Sequence, residues 1–594
     1  MLSASNPATL FVLRTRQIIR KRPCRVSAHK HYASVVTPSG PSTTRDVVVV
    51  GSGAAGLTAA LRCHYRGLRP LIVEKSSKVG GATAWSGGAV WVPNNTVHKA
   101  EGVRDSDEQG LQYLNALVGE SGPESSDARR KAYVQNARKM VDFLSDMGFK
   151  WLPSTGYPDY HPNLPGGMGG GRTIESAVVD LRALGQWRKH FNLSSNYPML
   201  PLHVFEAGTV ALAAAQLKGF TALTKVMLRW LRYRLLLQDP VTMGHALAAR
   251  LLKLNLDRNT EIWRDAPLQR LLVSSGQKRV EGIVVKRDGK DVNIMPSHGV
   301  ILAAGGFGKN QEMRAHYQQQ PTNPAWSSVP AHDTGDAIRA GMDIGAATAL
   351  MDDAWWGPSF FDDTTQTSYF GLWERSRPYS IIVDKAGKRI FNEAESYVDA
   401  THAQYARDRS TTAIPAWLIM DSIYARRYPL ATMGPRKSAR QALKSGFLYQ
   451  ANTLGDLCDQ IGVSKDGLAE TVQRFNNMAR KGRDEDFNRG GSSYDNYFGD
   501  TAVKPNPNLG AIEKAPFYAV KVFPGDLGTK GGLLTDENGQ VLATDQKPIP
   551  KLYASGNTTA SVMGRRYGGA GATLGPAMTF ACLAVDHIAQ SSKV

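Results

Sequence analysis

Gly51-Ser52-Gly53-Ala54-Ala55-Gly56 follows the valine run Val47–Val50 without a gap and leads straight into the helix-forming Leu57-Thr58-Ala59-Ala60-Leu61. Glycines at this spacing, between a strand and a helix, suit the binding of a pyrophosphate. Gly51 permits a tight turn, Gly53 lets the phosphates approach the backbone, and Gly56 lets helix and strand pack closely. Ala54 and Ala55 place small side chains at the helix N-terminus, where N–H donors and a positive dipole face the ligand. A second strand, Pro70–Val73, ends at Glu74-Lys75, and Glu74 lies at the distance expected of an acceptor for a ribose hydroxyl. A glycine turn alone also occurs in unrelated α/β folds; the strand, helix and acid together point to a dinucleotide.

Two further features belong with this turn. The stretch from Val79 to Gly88, with Gly81, Ala82, Thr83, Ser86, Gly87 and Gly88, is too rich in glycine for routine packing and suits contact with an extended cofactor. Gly299–Leu302 runs into Ala304-Gly305-Gly306, and Leu552–Ala554 runs into Ser555-Gly556-Asn557. Three strand-to-glycine segments so far apart predict an α/β nucleotide-binding domain interrupted by an insertion.

The 594 residues allow two or more domains around a large core. Cys24, Cys63, Cys458 and Cys582 are scattered without a C-x-x-C pair, so neither a zinc site nor a disulfide framework is signalled. The net charge is +19, but no zinc-finger, helix-turn-helix or aromatic RNA-binding pattern accompanies it, so no nucleic-acid partner is expected. Part of the excess lies in residues 1–44, which hold no Asp or Glu. That basic leader reads either as a mitochondrial transit peptide, with a short amphipathic helix over Thr9–Ile19, or as an unstructured tail. The chain is then mitochondrial, or else cytoplasmic or peripheral to a membrane. A secretory signal is not expected, and no run of 18 apolar residues predicts a transmembrane helix. The basic, apolar segment 223–237 reads either as a membrane-surface helix or as an amphipathic helix packed on the body.

The chain from about Asp46 onward resembles the flavoprotein family of fumarate reductases and 3-ketosteroid Δ1-dehydrogenases, and within it the ketosteroid dehydrogenases of fungal type. The residues that carry the resemblance are Ala84–Asn95, Tyr157-Pro158-Asp159-Tyr160-His161-Pro162, Phe391-Asn392-Glu393, Tyr494–Asp500, Pro524–Gly532 and Ser561–Met578. It implies a Rossmann-like FAD-binding domain (45–353 and 526–594) interrupted by an α+β catalytic cap (354–525), with the site between them. It implies FAD, held non-covalently because Ala82-Thr83-Ala84-Trp85 lacks the histidine of the covalent-flavin relatives. Gly571 and Leu574 join the cofactor-binding residues on the same ground.

The resemblance further implies removal of a proton from C2 and a hydride from C1 of a steroid-like 3-ketone, the hydride passing to flavin N5. Tyr397 is the implied base. A tyrosine of the 157–160 segment, Tyr160 in preference to Tyr157, supports its phenolate. The Tyr567 hydroxyl and Gly571 N–H bind the C3 carbonyl oxygen, an oxyanion-hole task. Tyr494 and Tyr497 line the cleft. Gly568 stands where the family has proline, a departure expected to loosen the carbonyl-binding turn. A separate electron acceptor must reoxidise the flavin, and no metal is expected. The segment from Phe360 to Trp373 is aromatic and without Lys or Arg, which suits an apolar ketone better than a dicarboxylate. The alternatives are a reductase of the fumarate or urocanate type and a non-catalytic flavin-binding module.

Overall fold

The valine run forms strand Arg45–Val50, which pairs in parallel with Pro70–Val73 on one side and Pro296–Leu302 on the other. This computed structural model describes residues 45–591 apart from 195–199, 275–278, 432 and 435–438; the basic leader, with the helix expected over Thr9–Ile19, lies outside the described residues. Glu261–Trp263 and Pro548–Ala554 extend the sheet in parallel, and Gln540–Leu542 closes one edge antiparallel. Successive side chains of a strand point to opposite faces. Val47 and Val49 therefore enter one core, with helices Ala54–Tyr65, Met243–Leu256 and Leu574–Ser591. Val48 and Val50 enter another, covered by the antiparallel strands Leu268–Val273, Val280–Arg287 and Lys290–Ile294. Burial on both faces is why these strands read as unbroken apolar runs, each buried valine contributing about 1.5–3 kcal/mol.

The strand order sets the three glycine-ended strands side by side. Because they are parallel, Gly51, Glu74, Gly305 and Gly556 all follow C-terminal strand ends on one edge of the sheet, where α/β sheets bind ligands.

A second, antiparallel sheet carries Thr367–Phe370, Ala354–Asp362, Phe517–Thr529, Ala416–Met420 and Ser380–Val383 in that order, with Tyr449–Ala451 paired to Phe517–Thr529. Helix Tyr397–Asp408 packs on strand Ala354–Asp362. The segment read as basic and apolar lies in and just beyond helix Leu217–Leu235, which crosses Val204–Val210 closely. Val226 is buried against the body, but Leu217, Phe220, Leu228, Leu231 and Leu235 are all exposed. Among the described residues, no helix is long and apolar enough to cross a membrane.

Candidate active site

Gly51 has φ +107°, and a Cβ there would sit 2.3 Å from the Ala303 carbonyl oxygen; at Gly56 it would sit 2.0 Å from the carbonyl oxygen of Gly51. Only glycine fits such approaches. Gly53 differs. Its nearest neighbour would be Thr83 Oγ1 at 3.4 Å, so space adjoins the start of helix Ala54–Tyr65, whose N-cap has no side-chain cap. Ala54 N–H donates to Thr83 Oγ1 (2.9 Å), and Ala55 is buried beside it. The buried Glu74 carboxylate accepts from the N–H groups of Ser52 (3.0 Å) and Ser76 (2.8 Å) and from the Ser52 hydroxyl. Burial pushes its pKa up, against these bonds. Lys75 turns to Asp336 instead, at 2.6 Å.

Gly81, Ala82 and Thr83 form the short helix Gly81–Trp85 next to the first turn. Ser86 donates to the Thr83 carbonyl (2.8 Å) and accepts from Gly88 N–H (3.0 Å), while Gly87 faces open space. Gly88 meets protein rather than space: a Cβ there would lie 2.2 Å from the Met243 carbonyl carbon. After Ala304, the N–H groups of Gly306 (2.7 Å) and Gly308 (3.2 Å) donate to the Asp333 carboxylate, which burial raises to a pKa of about 6. Gly305 (φ +80°) is packed against the same carboxylate. No motif spacing marks Asp333. Gly556 (φ +72°) approaches Ala55, Asn557 accepts from Trp355 Nε1 (3.2 Å), and Leu574 opens helix Leu574–Ser591. Space beside Gly53 and Gly87, a helix N-terminus whose N-cap glycine offers no capping side chain, and a buried acceptor at Glu74 fit an FAD.

The tyrosines converge from four distant segments. Tyr160 Oη lies 3.4 Å from Tyr397 Oη. The Tyr160 ring lies 4.3 Å from Tyr494, 5.1 Å from Tyr567 and 5.3 Å from Tyr397 between centroids, and Tyr397 lies 5.2 Å from Tyr567. Tyr157 stands one layer out, 6.5 Å from Tyr160 and 4.5 Å from Tyr497. The Tyr497 hydroxyl donates to the Phe205 carbonyl (3.4 Å). Two further aromatics complete the cluster: Phe370, from the aromatic segment Phe360–Trp373, meets Tyr397, and Trp355, which no sequence pattern marked, meets Tyr567, edge-on at 5.0 Å each.

Buried polar contacts set the segments of Tyr397, Tyr160 and Tyr567 in place. Tyr397 opens helix Tyr397–Asp408, and the loop before it is held by Glu393, whose carboxylate accepts from Arg389 (2.6 Å) and Arg489 (3.1 Å). Arg375 donates to the carbonyls of Glu393 and Glu395, both at 2.7 Å. Asp159 holds the 157–160 segment by accepting from Trp91 Nε1 (2.7 Å) and Arg172 (2.8 Å), and Arg172 also pairs with Asp105. The Gly568 carbonyl accepts from Tyr160 N–H (3.1 Å) and the Tyr113 hydroxyl (2.7 Å). The expected looseness at this proline-to-glycine departure is thus offset by two buried donors. Gly571 has φ +93°, and a Cβ would lie 2.2 Å from the Ala89 carbonyl oxygen.

Burial pushes the hydroxyls of Tyr160 and Tyr397 well above the ordinary tyrosine pKa. For Tyr397, the neighbouring Tyr567 and Tyr494 add to the rise, while the hydrogen bond from Tyr160 lowers it. Burial also raises Tyr567, while the nearby Tyr397, Thr573 and Gly571 backbone act to lower it.

A family model described as an FAD binding domain matches residues 46–574. The 3-oxosteroid 1-dehydrogenase of Mycobacterium tuberculosis (strain ATCC 25618 / H37Rv) is 42% identical over 567 residues, covering 92% of this chain and 98% of its own. A 4-oxocyclohexanecarboxylate 2-dehydrogenase of Sinomonas cyclohexanicum is 34% identical, covering 92% and 93%. The crystal structure of 3-ketosteroid Δ1-dehydrogenase from Sterolibacterium denitrificans, in complex with 1,4-androstadiene-3,17-dione, is 41% identical with a TM-score of 0.88, covering 93% of this chain and all of that one. The chain belongs to the 3-oxosteroid 1-dehydrogenase family of FAD-dependent flavoproteins.

Proposed function

We propose that this protein introduces a C1–C2 double bond into a 3-ketosteroid or a related tetracyclic triterpenoid ketone. Tyr397 takes the C2 proton on its phenolate oxygen, with Tyr160 donating to that oxygen. The Tyr567 hydroxyl and Gly571 N–H bind the C3 oxygen as enolate charge develops. FAD, when bound, supplies the acceptor for the C1 hydride, and a separate acceptor removes the electrons afterwards. The observation that carries this reading is the meeting of Tyr160, Tyr397 and Tyr567 in one buried cluster. Anaerobic mixing of the FAD-loaded protein with androst-4-ene-3,17-dione tests it. Bleaching of the flavin with release of the 1,4-dien-3-one supports it. Bleaching only with 4-oxocyclohexanecarboxylate moves the substrate to a monocyclic ketone, and reoxidation by fumarate or urocanate without ketone turnover favours a reductase.

The FAD is held non-covalently on this reading, and acid precipitation should release it into the supernatant. The chain runs as one FAD-binding domain (45–353 and 526–594) interrupted by the cap; strand Phe517–Thr529 spans the second junction. The exposed Leu217, Phe220, Leu228 and Leu231, flanked by Lys218, Lys225, Arg232 and Arg234, support contact between this helix and an anionic lipid surface, from which a steroid would be drawn. Flotation with anionic vesicles at low and high salt tests this; absence of binding at both overturns it. The acid-free leader supports mitochondrial import, which microscopy of the full chain beside a chain lacking residues 1–44 would check.

A further inference from the structure

Resting on the roles given above to Tyr160, Tyr397 and Tyr567, we propose that Asp399 is a positioning residue that holds these three tyrosines in register. Asp399 lies in the first turn of the helix that Tyr397 opens. One carboxylate oxygen accepts from Arg566 Nη1, and the other lies in close contact with His161 Nε2, at 3.1 Å but out of line for a hydrogen bond. Arg566 directly precedes Tyr567, and His161 directly follows Tyr160. A single carboxylate, carried on the helix that Tyr397 opens, thus touches the chain neighbours of both Tyr160 and Tyr567.

Its surroundings suit that role. The Asp399 side chain is 13% exposed, whereas Arg566 is half exposed. Burial works to raise its pKa, but the contacts with His161 and Arg566 hold it well below the usual carboxylate range, so it stays anionic. The Tyr160 and Tyr567 segments are already tied to each other, since Tyr160 N–H donates to the Gly568 carbonyl. Asp399 adds the Tyr397 helix to that pair. The need for such a tie is visible at the hydroxyls, whose 3.4 Å separation is at the long end for a hydrogen bond. A further displacement of about 1 Å breaks it, and misplacement on that scale costs about 100-fold in rate. A carboxylate in a first helical turn also favours the helix dipole, but that role needs neither partner and predicts a change in stability alone.

The test compares Asp399→Asn, Asp399→Glu and Arg566→Gln as FAD-loaded full chains. It reads deuterium exchange at C2 of a 3-ketosteroid, the rate of flavin reduction, and the Kd of 1,4-androstadiene-3,17-dione from the flavin spectrum. Asp399→Asn is expected to slow exchange and reduction together by about 100-fold while Kd changes by less than about threefold, with Asp399→Glu recovering part of the loss. Arg566→Gln, altering a half-exposed side chain, should show a smaller loss in the same two rates. Exchange within about twofold of wild type in Asp399→Asn overturns the proposal, as does a loss confined to thermal stability. If Asp399→Asn yields no folded holoenzyme, unchanged exchange in Arg566→Gln overturns it equally. Tyr397→Phe is run alongside: wild-type exchange there overturns the base assignment instead, and Asp399 is then judged on flavin reduction alone.

Discussion

At Gly51 and Gly56, neighbouring backbone oxygens lie 2.3 and 2.0 Å from where a Cβ would stand; at the tyrosine cluster, side chains from residues 160, 397, 494 and 567 meet ring to ring. The cofactor cradle is thus made by main chain at strand ends, and the reacting cluster by side chains of distant segments joined through buried ion pairs. The difference teaches that the two parts should fail separately. A change of backbone in the cradle removes the cofactor, whereas a change of hydroxyl in the cluster leaves the cofactor and removes the chemistry.

The largest expected effect lies in the cradle. Gly51→Ala places a Cβ against the Ala303 carbonyl at a φ of +107°, and the protein should purify colourless, as the ratio of flavin to protein absorbance would show. Retention of stoichiometric FAD would break the comparison at its first term. Gly571→Ala comes next, since the Cβ drives against Ala89 and displaces the carbonyl-binding N–H; kcat/KM per bound flavin should fall by about 10²–10³, with FAD content lowered less than in Gly51→Ala. Tyr160→Phe should have a smaller effect that depends on pH. Burial raises the Tyr397 pKa and the Tyr160 hydrogen bond lowers it, so its loss carries the pH–rate profile to higher pH. At fixed pH, the rate of flavin reduction should drop in proportion to the lost phenolate fraction. Gly568→Ala should matter least. Its φ is outside the left-handed range and the new Cβ would come no closer than 3.3 Å to Leu117, so rates should hold and a thermal melt should show a gain of about 0.4–1 kcal/mol.

The same contrast decides how much could be read from the chain. Strand Pro70–Val73 and the turn Gly51–Gly56 are local patterns, and the parallel sheet followed from strand-to-glycine segments that each carry their own signal. The tyrosines carry none: one among 21 looks like another, and their roles were reached through resemblance. Asp333 and Trp355 were missed because each acts across the fold, on Gly306 and Tyr567, with no periodicity or spacing to mark it, whereas Phe370 lies in the segment read as aromatic. Asp399 was missed for the same reason. Segment 223–237 was legible as an amphipathic helix, but which side would remain exposed depended on its packing against Val204–Val210.

Tyr397→Phe, loaded with FAD and mixed anaerobically with androst-4-ene-3,17-dione from about pH 6 to about pH 10, tests the central claim most directly. The wild-type rate of flavin reduction is expected to rise with pH as the phenolate forms. In the variant a flat rate is expected, lower by about 10³, with FAD content unchanged. A variant that reduces its flavin as fast as wild type, with the same pH dependence, would contradict that claim.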